Sequence, residues 1–173
     1  MRRPTEKLAC GRAARRDRDR LVKALKENPR RADFYERYQK IIDEYNQEQD
    51  RASIEATFEK LMKLSEDLSE EEQRFVREGF TNERQLAVFD MLYKDSLTKD
   101  EIAQVKELAR ELVDKIQERL AQMTRWTEKP ETRAEVDTII RNELYRLLPA
   151  SYPDESIAAY RAEIYEYFYA RAA

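Results

Sequence analysis

The side chains in this chain best placed to do chemistry are cations. Arg12, Arg15, Arg16, Arg18 and Arg20 fall within one short N-terminal run. Guanidinium groups at that density suit phosphate oxygens, because each contact releases condensed counterions and none needs to read a base. The same run equally fits a solvated helix lying on an acidic neighbour. Net charge is -3, but residues 1–31 hold 12 Lys and Arg against 4 Asp and Glu, while the rest holds 21 against 32. An arm of +8 therefore precedes a body of -11.

Most familiar catalytic constellations are missing. The chain has no histidine, which removes the usual neutral-pH general base, the Ser–His and Cys–His pairs and the imidazole ligands of zinc. Gly11 and Gly79 are its two glycines, too few for a phosphate-cradling loop or a dinucleotide-binding turn. None of its 11 lysines has an acidic residue two positions before it, the spacing common in metal-dependent nucleases of the restriction type. Glu70, Glu71 and Glu72 are better explained as charges favoured at a helix start than as cation ligands. Cys10, the one cysteine, rules out an intramolecular disulfide; its basic neighbours predict a lowered thiol pKa, and it is assigned no role. No catalytic residue, metal or cofactor is expected.

The elements that carry these residues read as helices throughout. With 41% apolar and 40% charged residues, 2 Gly and 5 Pro, the composition favours amphipathic helices over sheet. Its longest apolar runs, such as Leu86 to Phe89, are far too short to span a membrane. Residues 1–27 read as a basic arm, weakly helical or mobile, with a short apolar face at Leu21, Val22 and Leu25. Asn28 and Pro29 then start a helix, in which Phe34, Tyr38, Ile41, Ile42 and Tyr45 share one stripe. A second stripe of Ile54, Phe58, Leu61, Met62 and Leu68 follows a polar break at 46–50, predicting an antiparallel hairpin.

Ser69 with Glu72 has capping-box spacing for a short helix ended by Gly79, and Thr81 is a plausible cap for the next, which turns Leu86, Phe89 and Tyr93 inward. Thr98 with Glu101 opens a long helix whose stripe, from Ile102 through Leu108 and Leu112 to Met123, covers roughly 35 Å at 1.5 Å per residue. Packing in a bundle suits its interruptions better than a coiled coil. Past a break at 124–130, Val136, Ile139, Ile140, Leu144 and Leu147 mark another helix, and a last one begins near Asp154. Its Tyr160, Tyr165, Tyr167, Phe168 and Tyr169 wrap around more of the helix than one core contact uses. The fold class is all-α, an irregular bundle of six or seven helices, with residues 28–173 as its helical domain. Phe34, Tyr38, Ile41, Phe58, Leu61, Phe89, Leu108, Leu112, Ile140 and Leu144 are its expected core.

Several ordered segments carry a resemblance: NPRRADFYERYQKIIDEYN from Asn28, TFEKLMKLSEDL from Thr57, REGFTNERQLAVFDML from Arg77, WTEKPETRAEV from Trp126 and LLPASYP from Leu147. Together they resemble the α-helical C-terminal region of the R (motor and restriction) subunit of type I restriction enzymes. The first 27 residues fall outside the resemblance. It implies an assembly role, docking the R subunit onto the modification and specificity subunits and supporting the rest of the R subunit. Cleavage and ATP hydrolysis would lie in other parts of that subunit, and the location would be the cytoplasm. Trp126, Lys129, Arg133, Tyr165 and Tyr169 are the expected partner contacts, although Trp126 fits a core plug as well as a binding hot spot. Arg12, Arg15, Arg16, Arg18 and Arg20 are the expected contacts to a DNA backbone, with residues 1–31 as the contacting stretch.

Overall fold

The structure, a computed structural model, describes residues 5–47 and 51–172. Residues 1–4 of the basic arm and 48–50 of the expected polar break lie outside them. Among the described residues there are eight α-helices and no strand, one or two more helices than expected. The chain divides into two compact units, Met1–Gly79 and Phe80–Ala173.

The N-terminal unit holds α1 (Thr5–Glu27), a 3-10 turn (Pro29–Arg31), α2 (Ala32–Gln47), α3 (Arg51–Glu72) and the one-turn α4 (Arg74–Arg77). Asn28 caps the turn, its side-chain oxygen accepting from the Arg30 N–H at 3.1 Å, and Pro29 takes the first position, where no N–H is needed. The basic segment read as a weak helix or mobile arm is a packed helix: α1 lies against both α2 and α3. Its buried stripe is Cys10, Ala13, Leu21 and Ala24, which meets Tyr38, Leu61, Leu64 and Leu68. Small side chains hid this stripe in the sequence, because periodicity is usually read from large apolar residues and these let helices approach closely instead. Val22, expected inside, faces solvent.

Three more expectations change in this unit. Ser69 caps no helix. It lies inside α3, where its hydroxyl donates back to the Ser65 carbonyl at 2.8 Å and accepts from Arg20 at 2.9 Å, so the helix runs on to Glu72. Phe58 is not core. It is 40% exposed beside a groove of about 320 Å³ that it lines with Ala9, Ile54, Glu55 and Glu59. Met62, one turn on, is exposed as well, and Phe34 and Ile41 are only partly buried. Cys10 is buried, and burial pushes its thiol pKa up rather than down.

The C-terminal unit holds α5 (Glu83–Leu92), α6 (Lys99–Ala121), α7 (Pro130–Leu147) and α8 (Asp154–Tyr169). Helix α6 packs on α5 and α7, and α8 closes the circuit by packing on α7 and α5. Asn82, not Thr81, caps α5: its oxygen accepts from the Gln85 N–H at 3.0 Å while Gln85 reaches back to the Thr81 N–H at 2.9 Å. Thr98 and Glu101 form the expected reciprocal box at the start of α6, with bonds of 2.8 and 3.3 Å. Gly79, at the unit boundary, takes a φ of 79°, the left-handed conformation expected of it.

The core of this unit is continuous. In α5 all seven residues from Gln85 to Leu92 other than Asp90 are buried, and Val105, Leu108, Ala109, Leu112, Val113 and Ile116 of α6 are shut off from solvent. Val136, Ile140 and Leu144 of α7 and Ile157, Ile164 and Phe168 of α8 are buried as well. Tyr152, in the α7–α8 turn, donates its hydroxyl to the Leu92 carbonyl and so locks the turn to the end of α5.

Candidate interaction surfaces

Two groups of side chains were expected to meet partners, and the structure treats them differently. The aromatic group forms around the turn between α6 and α7. Arg125 adopts a φ of 52° there, a left-handed conformation uncommon outside glycine, which reverses the chain so that Trp126 points inward. Thr132, in the first turn of α7, donates its hydroxyl to the Trp126 carbonyl at 2.6 Å and holds the turn shut. Pro130 then opens α7.

On α8, Tyr165 and Tyr169 are one helical turn apart and stack with ring centroids 5.9 Å apart. Trp126 stands edge-on to both, each centroid 6.0 Å away, the T-shaped arrangement that ring quadrupoles favour. Trp126 is only 6% exposed and acts as the wedge, whereas Tyr169 keeps 38% of its surface open and Tyr165 is half-buried. Burial raises the Tyr165 phenol pKa, against the opposing pull of the nearby Arg133 guanidinium. Arg161 of α8 pairs with Asp137 of α7 at 2.9 Å and fixes the two helices beside the cluster.

Four of the five expected contacts therefore share one neighbourhood: Trp126, Tyr165 and Tyr169 in ring contact and Arg133 at its edge. Lys129 is exposed at the entry to α7, where its side chain makes no cap bond. Sequence reading missed Tyr145, the most exposed large aromatic at 64%. The signal was present, since Tyr145 sits off the Val136–Ile140–Leu144 stripe of α7.

The basic group splits. Arg12, Arg15, Arg16 and Arg18 are exposed on α1. Arg20 turns inward instead, donating to Ser65 at 2.8 Å, Ser69 at 2.9 Å and Glu72 at 2.9 Å on α3. It works as a structural pin and has little left to offer a phosphate. Beneath the exposed face Asp17 is buried at 1% exposure. Burial raises its carboxyl pKa despite Arg16, at 3.6 Å, and Arg20, which both favour the ionised form.

The C-terminal unit also carries an ion-pair ladder between α6 and α7. Glu143, buried, accepts from Lys115 at 2.6 Å and from Arg146 at 2.5 Å, and Arg146 also meets Glu111. Burial opposes the Glu143 charge, but these two cations outweigh it and hold its carboxyl below the usual range. Every charge in the ladder has a partner, which suits a structural seam better than a reactive site. Among the described residues no group of three potential metal-ligating side chains converges, and no helix is long and apolar enough to cross a membrane.

The family model described as "Type I restriction enzyme HindI endonuclease subunit-like, C-terminal" matches residues 18–170. No curated protein and no solved structure matches the chain. The family match begins inside α1, ten residues earlier than the resemblance read from sequence, and so takes in Arg18, Arg20 and the buried Leu21 and Ala24. With nearly the whole chain covered, the protein belongs to this type I restriction enzyme C-terminal family.

Proposed function

We propose that this chain, as a member of that family, is a non-catalytic assembly module that docks the R subunit of a type I restriction–modification system onto its modification and specificity subunits. The cytoplasm is the location this reading implies. The observation that carries the reading is the aromatic wedge. Trp126 is sunk between α7 and α8 and holds Tyr165 and Tyr169 as a stacked, half-open pair. Rigid aromatic surface with little rotamer freedom to lose is what protein interfaces use as anchors. Arg133, Asp137 and Glu166 beside Tyr165 supply a polar rim of mixed charge, as interfaces have around their anchors. DNA cleavage and ATP hydrolysis are assigned to other parts of the subunit, in keeping with a chain that has no histidine and two glycines.

The test is the mass, by size-exclusion chromatography with light scattering, of the chain mixed with the methyltransferase core (modification and specificity subunits) of a type I system from its own organism. A complex heavier than the core supports docking, and Tyr165→Ala with Tyr169→Ala should then weaken it tenfold or more, since interface anchors typically cost roughly 2 kcal/mol or more when truncated. Separate elution of chain and core sinks the proposal.

A further inference from the structure

The outward face of α1 belongs to the N-terminal unit and carries a different chemistry from the aromatic wedge. Between residues 8 and 26 its exposed ionisable side chains are Arg12, Arg15, Arg16, Arg18, Lys23 and Lys26 against the single carboxylate of Asp19. At about 100° per residue the four arginines cover an arc of about 160°, nearly half the helix circumference. Arg12, Arg15 and Arg18 make no ion pair with any described residue. The arginines that do serve the fold lie elsewhere: Arg20 on Ser65, Ser69 and Glu72, Arg31 on Glu71, Arg37 on Asp67.

We propose that the outward face of α1 binds the phosphate backbone of duplex nucleic acid, without reading sequence, through Arg12, Arg15, Arg16 and Arg18. The face has no aromatic ring and its exposed apolar side chains, Leu8 and Val22, are isolated from each other along the helix. Protein interfaces centre on aromatic anchors, which this face lacks, so an arginine-rich face that includes one carboxylate, Asp19, suits a polyanion better than a protein surface. It is also preorganised. Arg20 and the Tyr38 hydroxyl, which donates to the Ala14 carbonyl at 3.0 Å, tie α1 to its neighbours. The arginines therefore project from a fixed helix, and binding orders side chains only. Arg12 to Arg18 rise about 9 Å along the axis, a length over which duplex, at one charge per roughly 1.7 Å, carries about five phosphates.

The experiment is fluorescence anisotropy of a labelled 20-base-pair duplex of arbitrary sequence, titrated with the full chain at 50 and 150 mM NaCl. Four neutralised phosphates predict an affinity about fifty-fold weaker at the higher salt. The triple variant Arg12→Glu, Arg15→Glu, Arg18→Glu should abolish binding while keeping its helical circular dichroism. A control that reverses as many charges elsewhere, Lys40→Glu, Lys63→Glu, Lys99→Glu, should bind close to the unaltered chain. No binding at 50 mM overturns the proposal, as does equal loss in both triple variants, which would make the effect one of total charge. If the duplex is ignored but the α1 variant no longer joins the methyltransferase core, the face serves a protein and the proposal also fails. The duplex titration contains no other subunit, so its outcome is independent of the docking result.

Discussion

In the N-terminal unit α1 reaches its neighbours with Cys10, Ala13, Leu21 and Ala24 and then leans on polar pins, Arg20 against α3 and Tyr38 against α1. In the C-terminal unit α5 and α6 bury a continuous run of apolar side chains, and the buried Glu143 is paired in a seam between α6 and α7. The first unit keeps an ionisable Asp17 inside without adequate partners; the second buries Glu143 between two cations. The first unit, with more charged than apolar residues, thus leans on geometry and hydrogen bonds, and the second, with more apolar than charged residues, on apolar burial.

The largest expected effect tests the apolar side. Leu112→Ala, in the middle of α6, should cost about 2–5 kcal/mol in chemical denaturation, because the cavity it leaves is walled by side chains that cannot collapse into it. A loss below 1 kcal/mol would break the contrast. Next comes the pin: Arg20→Ala should cost about 1–2 kcal/mol, since its partners are only part-buried and water can replace it. Hydrogen exchange should show the loss in α1 amides first, with α6 unaffected.

The two buried carboxylates sharpen the comparison with pH. Folded Asp17 keeps its proton to higher pH than it does unfolded, so stability falls as pH rises from the ordinary aspartate value through the raised one. Asp17→Asn should therefore stabilise by about 1 kcal/mol at pH 7, the gain fading on acidification. Glu143 has the opposite sign. Its folded pKa is lowered, so it contributes above the ordinary glutamate value and the contribution is lost as pH falls through the lowered one. Glu143→Gln should cost about 1–2 kcal/mol at pH 7, the loss likewise fading in acid. Melting temperatures of both variants between pH 3 and 7 check the pair of signs. The smallest effect is Phe58→Ala, expected to change stability by about 0.5 kcal/mol or less, as for surface sites.

Large apolar residues at helical spacing made the C-terminal unit legible: Leu108, Leu112, Ile140 and Leu144 fall where periodicity places them. The N-terminal unit was harder because its α1 stripe is built from Ala and Cys, and because Phe58 keeps the right spacing while facing a groove. Ser69 and Glu72 show the same limit at a cap. Their spacing fits a helix start, but Arg20, roughly fifty residues earlier, recruits both into the side of a continuing helix. Of the candidate surfaces, composition identified the aromatic cluster and the arginine face. It left Trp126 open between core plug and binding hot spot and gave no sign that Arg20 turns inward, since both depend on contacts far apart in sequence.

The Arg20 pin also bears on the order of events during synthesis. Its three acceptors lie 45, 49 and 52 residues downstream, so α1 is made first yet cannot be fastened to α3 until most of α3 has been translated. At roughly 5–20 residues per second that interval is about 2–10 s. During it the helix has an Ala and Cys stripe without its α3 partners and a face on which arginines outnumber the one exposed carboxylate, Asp19. A nascent chain in that state is held in solution chiefly by its own positive charge, and it is most exposed to the anionic surfaces of the ribosome on which it is being made.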